Sequence, residues 1–136
     1  MSAERDLSRL LAGMSPELDP GRYVFTTVPG PVPPGITPLV TVTEPEGLTL
    51  VLRQEDADRA ALPYDYVAGW ITLRVHSALD AVGLTAAVSR ALAEAGLSCN
   101  VVAGYHHDHL FVEHERAEGA LAVLRALSTR SAGSAD

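Results

Sequence analysis

Residues 66–128 carry five segments whose apolar spacing alternates between a strand period and a helix period, and their order narrows the fold sharply. Val67, Gly69, Ile71, Leu73 and Val75 recur at every second position and predict a strand over 66–75 with these residues on one face. Leu84, Ala87, Val88, Ala91, Leu92 and Ala95 recur at helical spacing and predict a helix over 84–95. Its other side carries Thr85, Ser89, Arg90 and Glu94, and Gly96 supplies the stop. Strands over 97–104 and 109–114 follow, separated by a short polar turn. A helix over 116–128 then buries Ala117, Ala120, Leu121, Leu124 and Leu127. Strand, helix, strand, strand, helix is most of a ferredoxin-like βαββαβ unit, an α+β arrangement, with the last strand absent from its usual place. An open sheet edge templates pairing with other chains, so some other part of this chain is expected to cover it.

The first half of the chain is the candidate cover. A helix is predicted over 4–12, where Leu7, Leu10 and Leu11 share a face, Ser2 or Ala3 lies at the start and Gly13 closes it. Strand-like runs follow at 22–28, 38–43 and 48–53, the last two joined by a turn at Glu44-Pro45-Glu46-Gly47. A short helix over about 54–61 has its acidic residues near the start, where the helix dipole favours them, and Pro63 ends it. Residues 23–43 contain no charge, but Pro29, Pro31, Pro33, Pro34 and Pro38 break any continuous helix there. The stretch is a loop between strands rather than a membrane span. The chain therefore divides into an N-terminal half-unit over 1–63, a C-terminal unit over 64–130 and a flexible tail over 131–136. The two halves show no exact repeat of sequence, only a similar order of elements.

Composition excludes several functions. A formal net charge of −7, with ten scattered Lys and Arg residues, argues against nucleic-acid binding, which draws most of its affinity from cations against phosphate. One cysteine, Cys99, allows no intramolecular disulfide; set in an apolar run, it reads as a small buried hydrophobe rather than a reactive thiol. The start, MSAERDLSRLL, has no continuous apolar stretch to export, and a cytoplasmic location is expected. Neither a nucleophile elbow nor a GxxxxGK phosphate loop occurs, so no catalytic centre is expected and no cofactor is implied.

Two places have the chemistry to hold a ligand. One is the loop from Ser77 to Thr85, where Gly83 lets backbone approach closely and the amides at Gly83, Leu84 and Thr85 open a helix. The first amides of a helix lack partners within it, and the dipole there favours a carboxylate. The same glycine also serves ordinary turn geometry. The other is Asn100, whose amide offers both a donor and an acceptor in an apolar strand, and which could equally satisfy nearby backbone. Asp80 is the only charged residue in the loop.

The run AVGLTAAVSRALAEAGLSCNVVAGYHHDHLFV resembles the ACT domain, the regulatory βαββαβ module of amino-acid-controlled enzymes. With YVF at 23–25, EPEGLTLVL at 44–52 and HSALDAVGLTAAVS at 76–89, the chain is similar to a group of small bacterial tandem-ACT proteins of unassigned function. Related units occur in cytosolic arginine sensors of eukaryotes. The resemblance implies two ACT-like, ferredoxin-like units with antiparallel sheets and helices on one face. It also implies a non-catalytic sensor of a small molecule, most simply an amino acid, and a homodimer. Its site would comprise Ser77, Val82, Gly83, Leu84, Thr85 and Asn100, at an interface between ACT units. No attached enzyme domain is expected from these residues, so what binding regulates stays open, and a structural or protein-interaction module with no ligand is the alternative.

Micromolar affinity corresponds to about 8 kcal/mol. A helix N-terminus contributes about 0.3–1 kcal/mol and a charge-assisted hydrogen bond about 1.5–3 kcal/mol. One exposed loop is too little, so a second surface must close over the ligand, from the N-terminal half or from a partner. His106, His107, Asp108, His109 and His114 form a histidine cluster. If His107 and His109 both lay on a strand they would point the same way and could share a cation; otherwise they belong to a polar hairpin turn, as in the similar ACT proteins.

Overall fold

The computed structural model describes residues 6–75 and 77–134. Along the chain lie α1 (Leu7–Ala12), β1 (Pro16–Leu18), β2 (Tyr23–Val28), β3 (Val40–Glu44), β4 (Gly47–Arg53), α2 (Gln54–Arg59), β5 (Val67–Leu73), α3 (Leu84–Glu94), β6 (Asn100–Ala103), β7 (Asp108–Glu113), a 3-10 turn at His114–Arg116, and α4 (Ala117–Ser134). They form two compact units, one of residues 20–68 and one of the residues up to 19 together with those from 69 onward.

In the larger unit the strand order is β6-β7-β5, with β1 against the other side of β5. Pro16, Glu17 and Leu18 pair antiparallel with Leu73, Thr72 and Ile71. The place of the missing last strand is thus filled by three residues from the N-terminus, a strand too short for an alternation pattern to reveal. Proline is tolerated at its first position because a strand's first residue need not donate to the ladder. Helix α1 precedes β1 and is capped by Asp6, whose carboxylate accepts the Arg9 amide at 3.0 Å, rather than by Ser2 or Ala3, which lie outside the described residues. Leu10 and Met14 are fully buried and join Ile71, Leu73, Val88, Leu92, Leu110 and Leu124 in one core. Gly69 lets α4 come close: a Cβ there would stand 2.8 Å from that of Ala117.

Two boundaries differ from the expected ones for identifiable reasons. The strand predicted over 97–104 spans only Asn100–Ala103. Residues 96 and 97 finish α3 instead: Gly96 has a φ of +76°, and the amides of Gly96 and Leu97 bond to the carbonyls of Ala93 and Leu92. This is a Schellman cap, and it uses residues that pattern alone assigns to the strand. The last helix runs to Ser134, so residues 131–134, expected in a flexible tail, are helical. Its polar side chains bond inward: Thr129 and Ser131 donate to the carbonyls four residues back, and Ser128 donates to Ala12 at 2.9 Å.

The smaller unit has the order β3-β4-β2 followed by the start of β5. Strand β2 pairs with β4 from Tyr23↔Arg53 to Val28↔Leu48, and with β5 through Tyr23↔Ala68 and Val24↔Val67. Strands β3 and β4 form a hairpin in which Glu44 faces Gly47. A side chain at position 47 would lie 2.7 Å from the Val28 carbonyl, on a backbone with φ of +152°, so glycine is required. Counted from its first strand, this sheet repeats the order of the larger one. Its crossover is the proline-rich loop, which cannot be helical but sends Val32 and Ile36 onto the core of Val24, Val28, Leu50, Leu52 and Ala57.

The N-terminal segment belongs to the core of the larger unit. Leu10→Ala is expected to cost about 2–5 kcal/mol, whereas Arg125→Ala, at an exposed position of α4, should stay within about 0.5 kcal/mol. Urea denaturation of the two variants checks both values.

Candidate functional site: the loop before helix three and the polar sheet face beside it

Strand β5 ends at Leu73 and α3 begins at Leu84, so the connecting loop sits where the strand delivers its chain to the head of the helix. Gly83 caps α3 with φ of +103° and no side chain, and its carbonyl accepts the first helical bond, from Ala87 at 2.9 Å. Leu84 is buried and anchors the turn, while Thr85 is exposed and Val82 is 84% exposed. Leu79, in the same loop, is also largely exposed. His76 lies outside the described residues.

The loop has two differently furnished neighbours. Beside Gly83 an open groove of about 850 Å³ runs between α3 and α4, with Ala87, Ala91 and Ala95 on one side and Val123 and Leu127 on the other. Leu7 closes on Gly83 there: its Cδ2 would lie 3.1 Å from any added Cβ. At the strand end of the loop, Ser77 donates a long hydrogen bond of 3.5 Å to Asp108, at the start of β7. Asp108 is only 8% exposed. Burial pushes its carboxyl above the ordinary aspartate range, opposed by the Ser77 bond and by His109 and His107.

Val82, Gly83, Leu84 and Thr85 thus stand together at the head of α3, and Ser77 stands against Asp108. Asn100 is exposed at the start of β6 and pairs with Phe111. That is three residues along β7 from Asp108, roughly 10 Å at the usual strand rise. Among the described residues it does not line the groove beside Gly83.

The sheet face opposite Ile71 and Leu73 holds polar residues that the sequence analysis did not single out. Trp70 donates its indole N–H to His109 Nδ1 at 3.1 Å, and the Thr72 hydroxyl lies 3.2 Å from the same nitrogen. Arg74 forms a two-pronged pair with Glu17, at 3.0 and 3.3 Å. The signal was available, since alternation that sends Ile71 and Leu73 inward sends Trp70, Thr72 and Arg74 outward. His107 lies in the turn rather than in β7, so alternation does not set it beside His109 on one face. Among the described residues no group of three or more His, Cys, Asp or Glu is placed to hold a metal ion. Cys99 is half-buried, and burial raises its thiol pKa.

In the smaller unit a second cleft, of about 520 Å³, is lined by Phe25, Thr27, Thr49, Tyr64 and Asp65 among others. Its Tyr64 hydroxyl is engaged already, donating to Asp58 at 2.6 Å and accepting from Gln54 at 3.0 Å.

Two sheets of the same strand order, each completed by a fourth strand, define a tandem of ferredoxin-like modules. The chain belongs to the ACT domain family: ACT-domain profiles match residues 2–69 and again residues 66–126. A Vibrio cholerae protein of unknown function, described as a possible transport protein, is 51% identical, with 90% of this chain and 95% of that one covered at a TM-score of 0.82. The ligand-free regulatory subunit of aspartate kinase from Thermus thermophilus has the same fold at 12% identity, with a TM-score of 0.64 over 85% of this chain and 97% of that one. An Agrobacterium tumefaciens protein is 20% identical, with a TM-score of 0.60 over 79% of this chain and 84% of that one. No curated protein matches the chain in sequence. ACT domains are regulatory modules that generally bind amino acids. Among the described residues no helix is long and apolar enough to cross a membrane.

The backbone at Gly83 carries a specific stability prediction. Gly83→Ala should destabilise the protein by about 1–2 kcal/mol from its φ alone, and Gly83→Val by more because its branched side chain adds bulk beyond the Cβ that already stands 3.1 Å from Leu7. Thermal denaturation should rank wild type above Ala and Ala above Val.

Proposed function

We propose that this protein is a non-catalytic sensor of a small amino-acid-like molecule, held at the loop that leads into α3. The observation that carries the proposal is the head of α3, which starts at a glycine without a capping side chain. The loop that leads into it leaves Val82 and Leu79 exposed to an extent unusual for large apolar side chains. A carboxylate suits the first amides of the helix and the positive end of its dipole. At the other end of the same loop, Ser77 and the buried Asp108 offer oxygen atoms to an ammonium group. Exposed Leu79 and Val82 suit a covering surface, which we assign to a second copy of the chain. Asn100 is assigned to the rim of the site on β6.

A second proposal rests on the groove itself. The apolar stripe of helix α3 is only partly covered: Ala87 and Ala91 are half-buried and Ala95 is exposed. Small residues at this spacing permit close helix–helix approach. Arg90 and Glu94 flank them with opposite charges, so two copies related by a two-fold axis would set each arginine near the other's glutamate. A homodimer through α3 follows, and it serves the sensor reading as well as the alternative of an interaction module without a ligand.

The two proposals separate experimentally. A thermal-shift screen of the twenty amino acids should find at least one that raises the melting temperature, because binding only the native state stabilises it. Thr85→Glu places a fixed carboxylate where the ligand's would sit, and strengthens the isolated helix by about 0.3–1 kcal/mol. It should abolish the ligand shift without lowering the melting temperature of the free protein. A flat screen removes the sensor reading. Ala91→Glu should halve the mass measured by light scattering, and an unchanged mass removes the α3 dimer.

A further inference from the structure

The contact between Trp70 and His109 has only one protonation state in which it can form. An indole N–H can donate and cannot accept. His109 Nδ1, 3.1 Å away, must therefore carry a lone pair, which places the proton of the neutral imidazole on Nε2. The ring is partly buried. Trp70 and Thr72 of β5 hold its Nδ1, and Gly104 packs on its other edge, where an added Cβ would stand 3.1 Å from Nε2. That glycine in turn donates its amide to the His107 carbonyl at 2.9 Å, closing the turn between β6 and β7. The imidazole is therefore a side-chain tie between β5 and the β6–β7 hairpin on this face.

We propose that this tie is an acid-sensitive latch: a proton arriving at His109 Nδ1 sets one N–H against another, breaks the Trp70 bond and loosens the β6–β7 hairpin from β5. The charged and titratable groups around the ring are His107 and Asp108 from the turn and β7, and Arg74 beyond β5, with Glu17 of β1 paired to Arg74. Burial is the largest influence on His109 and lowers its pKa below the ordinary histidine value. His107 and Arg74 act in the same direction, and Asp108 opposes them. The latch thus stays shut at neutral pH. Between the ordinary value and the depressed one the unfolded chain binds the proton and the folded chain does not. Stability is retained above that window and lost as pH falls through it.

The chain contains one tryptophan, so the latch has its own reporter. Protonated imidazole quenches neighbouring indole emission. Titration of the wild type should show a single-step loss of Trp70 emission with a midpoint below about pH 6.5. His109→Gln offers an amide oxygen to the indole N–H at every pH, and its emission should stay flat, while His107→Gln should keep the step. Circular dichroism at neutral pH establishes that both variants fold. Amide exchange at Leu110 and Val112 should match between wild type and His109→Gln at neutral pH, and be several-fold faster in the wild type at about pH 5. Nitrogen NMR of the imidazole should find Nδ1 unprotonated at neutral pH. A proton on Nδ1, a midpoint at or above 6.5, or a step that survives in His109→Gln would overturn the latch. Equal exchange at about pH 5 would overturn the loosening of the hairpin.

Discussion

Strand β5 contributes a paired segment to each of the two units, and much of each unit's structure follows from that. Residues 67 and 68 pair with β2, and residues 71–73 pair with β1. Each sheet gains a fourth strand this way, β1 in the larger unit and the start of β5 in the smaller. Unpaired backbone donors and acceptors are costly when buried, so this sharing makes two small sheets possible in 136 residues. Gly69 lies between the two paired segments, where the absence of a side chain admits Ala117 and the first turn of α4.

The second half of the fold was legible because its apolar periods are long and clean. Leu84, Val88 and Leu92 read as a helix face, and all three are buried. The need for a cover over the open sheet edge was legible too, from the missing strand. Which residues supply it was not, since Pro16–Leu18 is too short for alternation and begins with a proline. Cap geometry was hidden for a different reason. Gly96 was recognised as a stop, but the Schellman bonds that also remove Leu97 from the following strand depend on backbone angles rather than on residue type.

The site divides along the same line. Gly83 could be singled out because a glycine that opens an amphipathic helix is visible in the sequence, although the same glycine also serves ordinary turn geometry. Asp108 and His109 sit in a histidine-rich stretch whose sequence suggests a turn or a metal, and their partners are Ser77, 31 residues away, and Trp70, 39 residues away. Contacts at that separation exist only once β5 and β7 are neighbours. The alanine stripe shows the opposite limit: its helical period was plain, but period alone does not say how much of an apolar face the chain itself will cover.

The central claim is that the head of α3 receives a ligand carboxylate. A titration of isotope-labelled protein with amino acids, followed by amide NMR, tests it most directly. The account requires saturable shifts concentrated at Leu84, Thr85 and Ala86, with smaller ones at Ser77 and Asp108. Spectra that stay unchanged up to millimolar ligand, or that respond only in residues 20–68, would contradict it.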